Sequence, residues 1–131
     1  MKKDIEIPKV EDVYLVVVPE YNIAFKADDW NVYMVNEKEE AIEMVFILSK
    51  GFDQERETAQ MRHKIENLPA KSGVKFELMV EEVLALNNEF KVSFFCKNKL
   101  YEKTFLLKKN SIKKSALRMV KALNKRGIII K

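Results

Sequence analysis

Over most of its first 108 residues the chain alternates apolar and polar positions with a period of two, the spacing that sends successive side chains to opposite faces of a β-strand. WNVYMVN (30–36) sets Trp30, Val32 and Met34 against Asn31, Tyr33 and Val35, and MRHKIENL (61–68) sets Met61, His63 and Ile65 against Arg62, Lys64 and Glu66. In VKFELMVEE (74–82), Val74, Phe76, Leu78 and Val80 share one face, while Lys75, Glu77 and Glu81 share the wet one. DVYLVVV (12–18) is a β-branched run suited to a strand buried on both faces. AIEMVFILS (41–49) is another apolar run of strand length, and the polar NEKEE before it predicts a hairpin between 30–36 and 41–49.

KGFDQERETAQ (50–60) reads as a loop, and VLALNN (83–88) as either a short helical turn or more strand. EFKVSFFCKNKLYEKTFLLKK (89–109) predicts a hairpin with Asn98 and Lys99 as a two-residue loop. That loop puts Phe90, Val92, Phe94 and Cys96 on one face with Tyr101, Phe105 and Leu107, and leaves Phe95 on the wet face between Lys91 and Lys97. Seven short strands without intervening helices predict a mainly β fold, an antiparallel two-sheet immunoglobulin-like β-sandwich, preferred here over a barrel. A chain of 131 residues predicts one domain over 1–131, including a basic C-terminal element at about 110–131.

The pattern changes near residue 110. From Ser111 to Arg126 a helix gathers Ile112, Ala116, Met119, Val120 and Leu123 on one side and Lys114, Arg118, Lys121 and Lys125 nearly opposite, with Gly127 where it would stop. The competing solution is a short helix near 111–118 followed by a hairpin of MVKAL and IIIK around an NKRG turn.

Charge sharpens the contrast. The net charge is +4, yet residues 103–131 hold ten Lys or Arg and no carboxylate, leaving 14 basic against 20 acidic groups in the first 102. The four cations form a possible contact for an acidic partner or nucleic acid, since Lys/Arg stripes neutralise phosphates independently of base sequence. The alternative is a helix that covers the sandwich and either presents a solvated Lys-rich face or docks it electrostatically against Asp28, Asp29 or the NEKEE loop.

Candidate chemistry is sparse. His63, the lone histidine, falls between Met61 and Ile65 and is expected as an inward, hydrogen-bonded imidazole rather than a catalytic base. Cys96 has no partner for a disulfide and no basic activator. Three glycines form no phosphate-cradling loop, and the carboxylate pairs Asp28/Asp29, Glu39/Glu40 and Glu81/Glu82 are sequence neighbours whose side chains diverge. No catalytic residues, metal or cofactors are expected. MKKDIEIPK lacks the apolar core of a leader, and a cytoplasmic, non-membrane location follows as an expectation.

WNVYMVN, EMVFILSKGF, RHKIENLPAKSGVKFE, LNNEFKVSFF and NKRGIIIK resemble a family of short uncharacterised bacterial proteins over nearly the whole chain. Some members are named as a phenylalanyl-tRNA synthetase alpha subunit, a role that needs a larger domain with an arginine-bearing class II motif. The NVYMVNEKEEAIEMVFIL and ENLPAKSGVKFE segments are also similar to immunoglobulin-like or fibronectin-like sandwiches. The expectation is a non-enzymatic protein-interaction or scaffold module that binds an unidentified protein or itself, with a nucleic-acid-binding accessory role through the basic element as the alternative.

Overall fold

The computed structural model describes residues 8–131, so MKKDIEI, the start of the segment read for a leader, lies outside them. Nine strands form among the described residues: β1 (Val13–Asn22), β2 (Ala27–Asn36), β3 (Ile42–Phe52), β4 (Met61–Leu68), β5 (Ser72–Met79), β6 (Asn87–Cys96), β7 (Lys99–Leu107), β8 (Arg118–Val120) and β9 (Lys125–Ile130). A five-stranded sheet runs β5-β2-β1-β9-β8 and a four-stranded sheet β4-β3-β6-β7, with every pairing antiparallel. The seven strands read from the first 108 residues are all present, and two more lie beyond them. VLALNN divides between the two alternatives: Val83 and Leu84 end a single helical turn, α1 (Glu81–Leu84), and Asn87 and Asn88 begin β6.

The hairpin expected between 30–36 and 41–49 does not form. β2 pairs with β1 and β5, whereas β3 pairs with β4 and β6, so residues 37–41 carry the chain from one sheet to the other. Buried Asn36 makes this crossing: its side-chain amide donates to the carbonyl oxygens of Glu40, Leu68 and Pro69, and its Oδ1 accepts from Lys38 N–H. An amide that satisfies three carbonyls where two sheets meet outweighs a local hairpin. The true neighbour of β2 is β1, joined through the exposed loop 23–26.

Between the sheets lies an apolar core that includes Leu15, Val17, Val32, Met34, Ile47, Phe90, Phe94 and Phe105, all nearly inaccessible, with Cys96 buried among them. The ring of Phe94 stacks on Tyr101, its cross-strand partner, at 5.2 Å between centroids. That partner differs from the expected register. Cys96 pairs with Lys99, so the loop is Lys97–Asn98, both at positive φ as a type I′ turn requires. Moving the loop by one residue shifts the register by two, which keeps the same side chains on the inner face.

No helix spans 111–126. The segment instead holds a 3-10 turn at Lys114–Ala116, then β8, a turn at 121–124 and β9, close to the competing solution but with the turn at KALN rather than NKRG. The apolar residues assigned to one helix face serve opposite sides of the five-stranded sheet. Ile112, Ala116 and Leu117 pack on the main core, while Val120, Ala122 and Leu123 join Val16, Val18, Tyr33 and Val35 on the sheet's outer face. A straight helix presents its apolar stripe to one side only. This explains DVYLVVV: Leu15 and Val17 face the other sheet, and Val16 and Val18 are covered by the returning C-terminus.

Candidate functional site

Three features outside the apolar core could act on another molecule. The first is a buried polar cluster between the sheets. Glu77 Oε1 accepts a hydrogen bond from Ser49 Oγ at 2.5 Å and lies 2.8 Å from His63 Nε2, joining β3 and β4 of one sheet to β5 of the other. His63 faces inward as expected, its ring set edge-on to Phe76 at 5.2 Å.

Glu77 was expected on the wet face and is instead only 8 % exposed. A β-bulge is the reason. Val32 pairs with Glu77 but Tyr33 pairs with Lys75, leaving Phe76 unmatched, so both Phe76 and Glu77 turn inward. The alternation is inverted beyond the bulge: Met79 is buried, while Leu78 and Val80 are about half exposed. Ser49 and His63 both engage one carboxylate oxygen, so the hydroxyl hydrogen points to Glu77 and not to an imidazole base. A Ser–His nucleophile needs the opposite order. The arrangement works as a polar clasp between the two sheets.

The second feature is the C-terminal element. Lys114 is exposed in the 3-10 turn, Arg118 on β8, Lys121 in the following turn and Lys125 at the start of β9. Arg118 Nη1 donates to the carbonyl oxygens of Leu117 and Ser115, at 2.9 and 3.3 Å. Lys125 Nζ lies 3.1 Å from Glu20 Oε2. The four cations therefore occupy four different local structures, not one helical stripe, and one of them fastens the C-terminus to β1.

Glu20 is the anchor for that fastening. Its carboxylate also accepts from Asn31 Nδ2 at 2.7 Å and Tyr33 Oη at 2.9 Å, and Lys75 Nζ lies at 3.3 Å. Burial alone would raise the Glu20 carboxyl, but the donors of Asn31, Tyr33, Lys125 and Lys75 outweigh it and hold it at about 2. Burial and then the Glu20 carboxylate push the Tyr33 phenol up to about 12. Of the acidic sites considered for the basic element, Asp29 accepts from Asn22, and Glu39 and Glu40 of the NEKEE loop meet Lys71 and Lys97.

The third feature is a contrast between sheet faces. The outer face of the five-stranded sheet is covered by Val120, Ala122 and Leu123. Gly73 and Gly127 permit that cover. A Cβ at Gly73 would collide with Leu123, and one at Gly127 would collide with Val16 and sit 3.0 Å from the Val17 carbonyl oxygen. The outer face of the four-stranded sheet has no such cover among the described residues. There Phe46, Phe95, Leu100 and Leu106 remain 41–46 % exposed, with Met44 at 39 %. Phe46 pairs with Ser93, so Phe46 and Phe95 are diagonal neighbours on the two central strands. Lys64 Nζ stands 5.9 Å from the Phe46 ring centroid.

Phe95 was legible from its place between Lys91 and Lys97. Phe46 was not, because AIEMVFILS reads as a continuous apolar run whose outward residues are indistinguishable from its inward ones. The loop of the β1–β2 hairpin adds a separate apolar tip, with Ile23 and Phe25 80–82 % exposed. Among the described residues no helix is long and apolar enough to cross a membrane, and no group of three or more His, Cys, Asp or Glu could hold a metal ion.

These features define an antiparallel two-sheet β-sandwich with one outer face covered by its C-terminal element and the other left uncovered by the described residues. Compared with known protein families, curated proteins and solved structures, the chain matches none.

Proposed function

We propose that this protein is a non-enzymatic interaction or scaffold module that docks a protein on the outer face of its four-stranded sheet. One observation carries the reading: the chain covers one sheet face with its own strands and leaves the other with Phe46, Phe95, Leu100 and Leu106 accessible. Phe46, Phe95 and Leu100 adjoin through the β3–β6 and β6–β7 registers, and exposed apolar surface of this kind marks interaction sites. A photoreactive amino acid placed at Ser93, between the two phenylalanines, tests it in extract of the native cell. Adducts with protein that disappear in a Phe46→Glu/Phe95→Glu variant support the reading, and an absence of adducts defeats it.

The immunoglobulin-like character of the sandwich belongs to the same proposal. Its support is that β2 pairs with β5 and β3 with β6, so sequence-distant strands close each sheet as in a Greek key. β8 and β9 are additions at the β1 side. The cytoplasmic location is likewise our reading, supported by a lone buried thiol.

A nucleic-acid accessory role is the second reading. Its support is the Phe46–Phe95 pair on central strands, flanked by Lys64 and Lys91, which resembles a stacking platform for bases. Lys114, Arg118 and Lys121 would add phosphate contacts. Mobility-shift titrations with single-stranded RNA and DNA at about 50 mM salt test it, and no shift there eliminates it.

A further inference from the structure

We propose that the protein the open face docks is a second copy of this chain, packed face to face about a two-fold axis that runs along the strands between β3 and β6. The inference rests on the interaction reading above and names its partner. The strand registers line up the outward side chains in transverse rows. One row crosses all four strands as Lys64, Phe46, Ser93 and Glu102, and the next as Arg62, Leu48, Lys91 and Thr104. A third row runs Asn67, Glu43, Phe95 and Leu100.

A two-fold axis along the strands lays β4 of one copy over β7 of the other and β3 over β6, so each row meets itself reversed. Lys64 then faces Glu102 of the second copy, twice over, and Phe46 faces the small Ser93. In the next row Arg62 faces Thr104 and Leu48 faces the aliphatic stem of Lys91. No like charges oppose each other in these three rows. An axis perpendicular to the strands sets rows against rows in the same strand order. Passing between the first and third rows it sets Lys64 against Asn67 and Glu102 against Leu100, forming no ion pair, and passing through the first row or between it and the second it confronts Lys64 with Lys64 or Arg62 and Glu102 with Glu102 or Thr104. Like charges held together disfavour the last two packings. Packed sheets cross at about 30°, and the axis then tilts by half that angle, a displacement that a Lys side chain can span.

The same rows weigh against nucleic acid as the occupant, because Glu43 and Glu102 lie among the cations that would meet phosphates. Four strands about 4.8 Å apart and some seven residues long give a footprint of roughly 19 by 23 Å. That is small for a specific interface and places the association among weak, transient ones.

Sedimentation equilibrium of the full chain across about 1 µM to 1 mM reads this directly. The wild type is expected to pass from 15.4 kDa to twice that mass. Lys64→Glu alone and Glu102→Lys alone should each weaken the dimer by at least about tenfold, since each creates two like-charged pairs. The double variant should recover it. Mixing the two single variants should also recover it, as a heterodimer, because each supplies the charge that the other lacks; thermal melts confirm that all are folded. A wild type that stays monomeric at 1 mM overturns the inference, as does a dimer indifferent to the charge changes. Adducts of the Ser93 photoprobe with a different protein, lost in the Phe46→Glu/Phe95→Glu variant, from a chain that stays monomeric would sink self-association and leave the interaction reading standing.

Discussion

Two carboxylates, Glu20 and Glu77, organise the polar chemistry of the sandwich, and each has its own consequence for stability. Glu20 draws four donors from β2, β5 and β9 onto the outer face of the five-stranded sheet. Its folded value of about 2 lies below the ordinary 4.5, so its stabilisation is complete above about pH 4.5 and is lost as pH falls towards 2. Denaturant melts of Glu20→Gln should show a loss of about 1–2 kcal/mol at pH 7 and a flatter decline in acid than wild type. An unchanged acid profile would show that the donors do not act on this carboxylate. At the clasp, Glu77→Leu leaves the buried Ser49 hydroxyl without its acceptor and should cost about 1–3 kcal/mol. Adding Ser49→Ala and His63→Phe removes the orphaned groups and should restore part of that loss, a non-additivity that equilibrium unfolding of the single and triple variants measures.

Among the elements, those defined by local periodicity were the most legible. MRHKIENL gave β4 with its inward histidine, and the alternation in EFKVSFFC gave β6 with its correct inner face. Features that depend on distant contacts were not legible. The Phe76 bulge reverses the alternation of β5 through its pairing with Val32 and Tyr33, and nothing within VKFELMVEE signals it. The C-terminal segment fits a helical period by coincidence, since its apolar residues divide between two sides of a sheet that local spacing cannot reveal. The Lys97–Asn98 turn offers a direct check, because Lys at φ 50° is strained where Asn-Gly is favoured. Lys97→Asn with Asn98→Gly should stabilise the protein by about 0.5–1 kcal/mol in thermal or denaturant melts, and a loss would argue against a type I′ loop at these positions. At the β1–β2 tip, Ile23→Ser/Phe25→Ser should change stability by less than about 0.5 kcal/mol, as both side chains already face solvent.

At the scale of the whole molecule, the two outer sheet faces are treated unequally. One is closed when β8 and the turn after it fold across Val16, Tyr33 and Val35, held by Glu20 and Lys125 and admitted by two glycines; the other keeps its phenylalanines and leucines accessible. Removing residues 118–131 should uncover the first face and also take Ile128 and Ile130 out of the main core, and the shortened chain should bind an apolar dye more strongly and aggregate more readily than the full chain. Hydroxyl-radical footprinting of the full chain, at a concentration low enough to keep it monomeric, tests the asymmetry most directly. Phe46, Phe95 and Met44 should oxidise rapidly while Tyr33, Val35 and Val120 are protected. Comparable rates on the two faces, or protection of Phe46 and Phe95 in the monomer, would contradict the account.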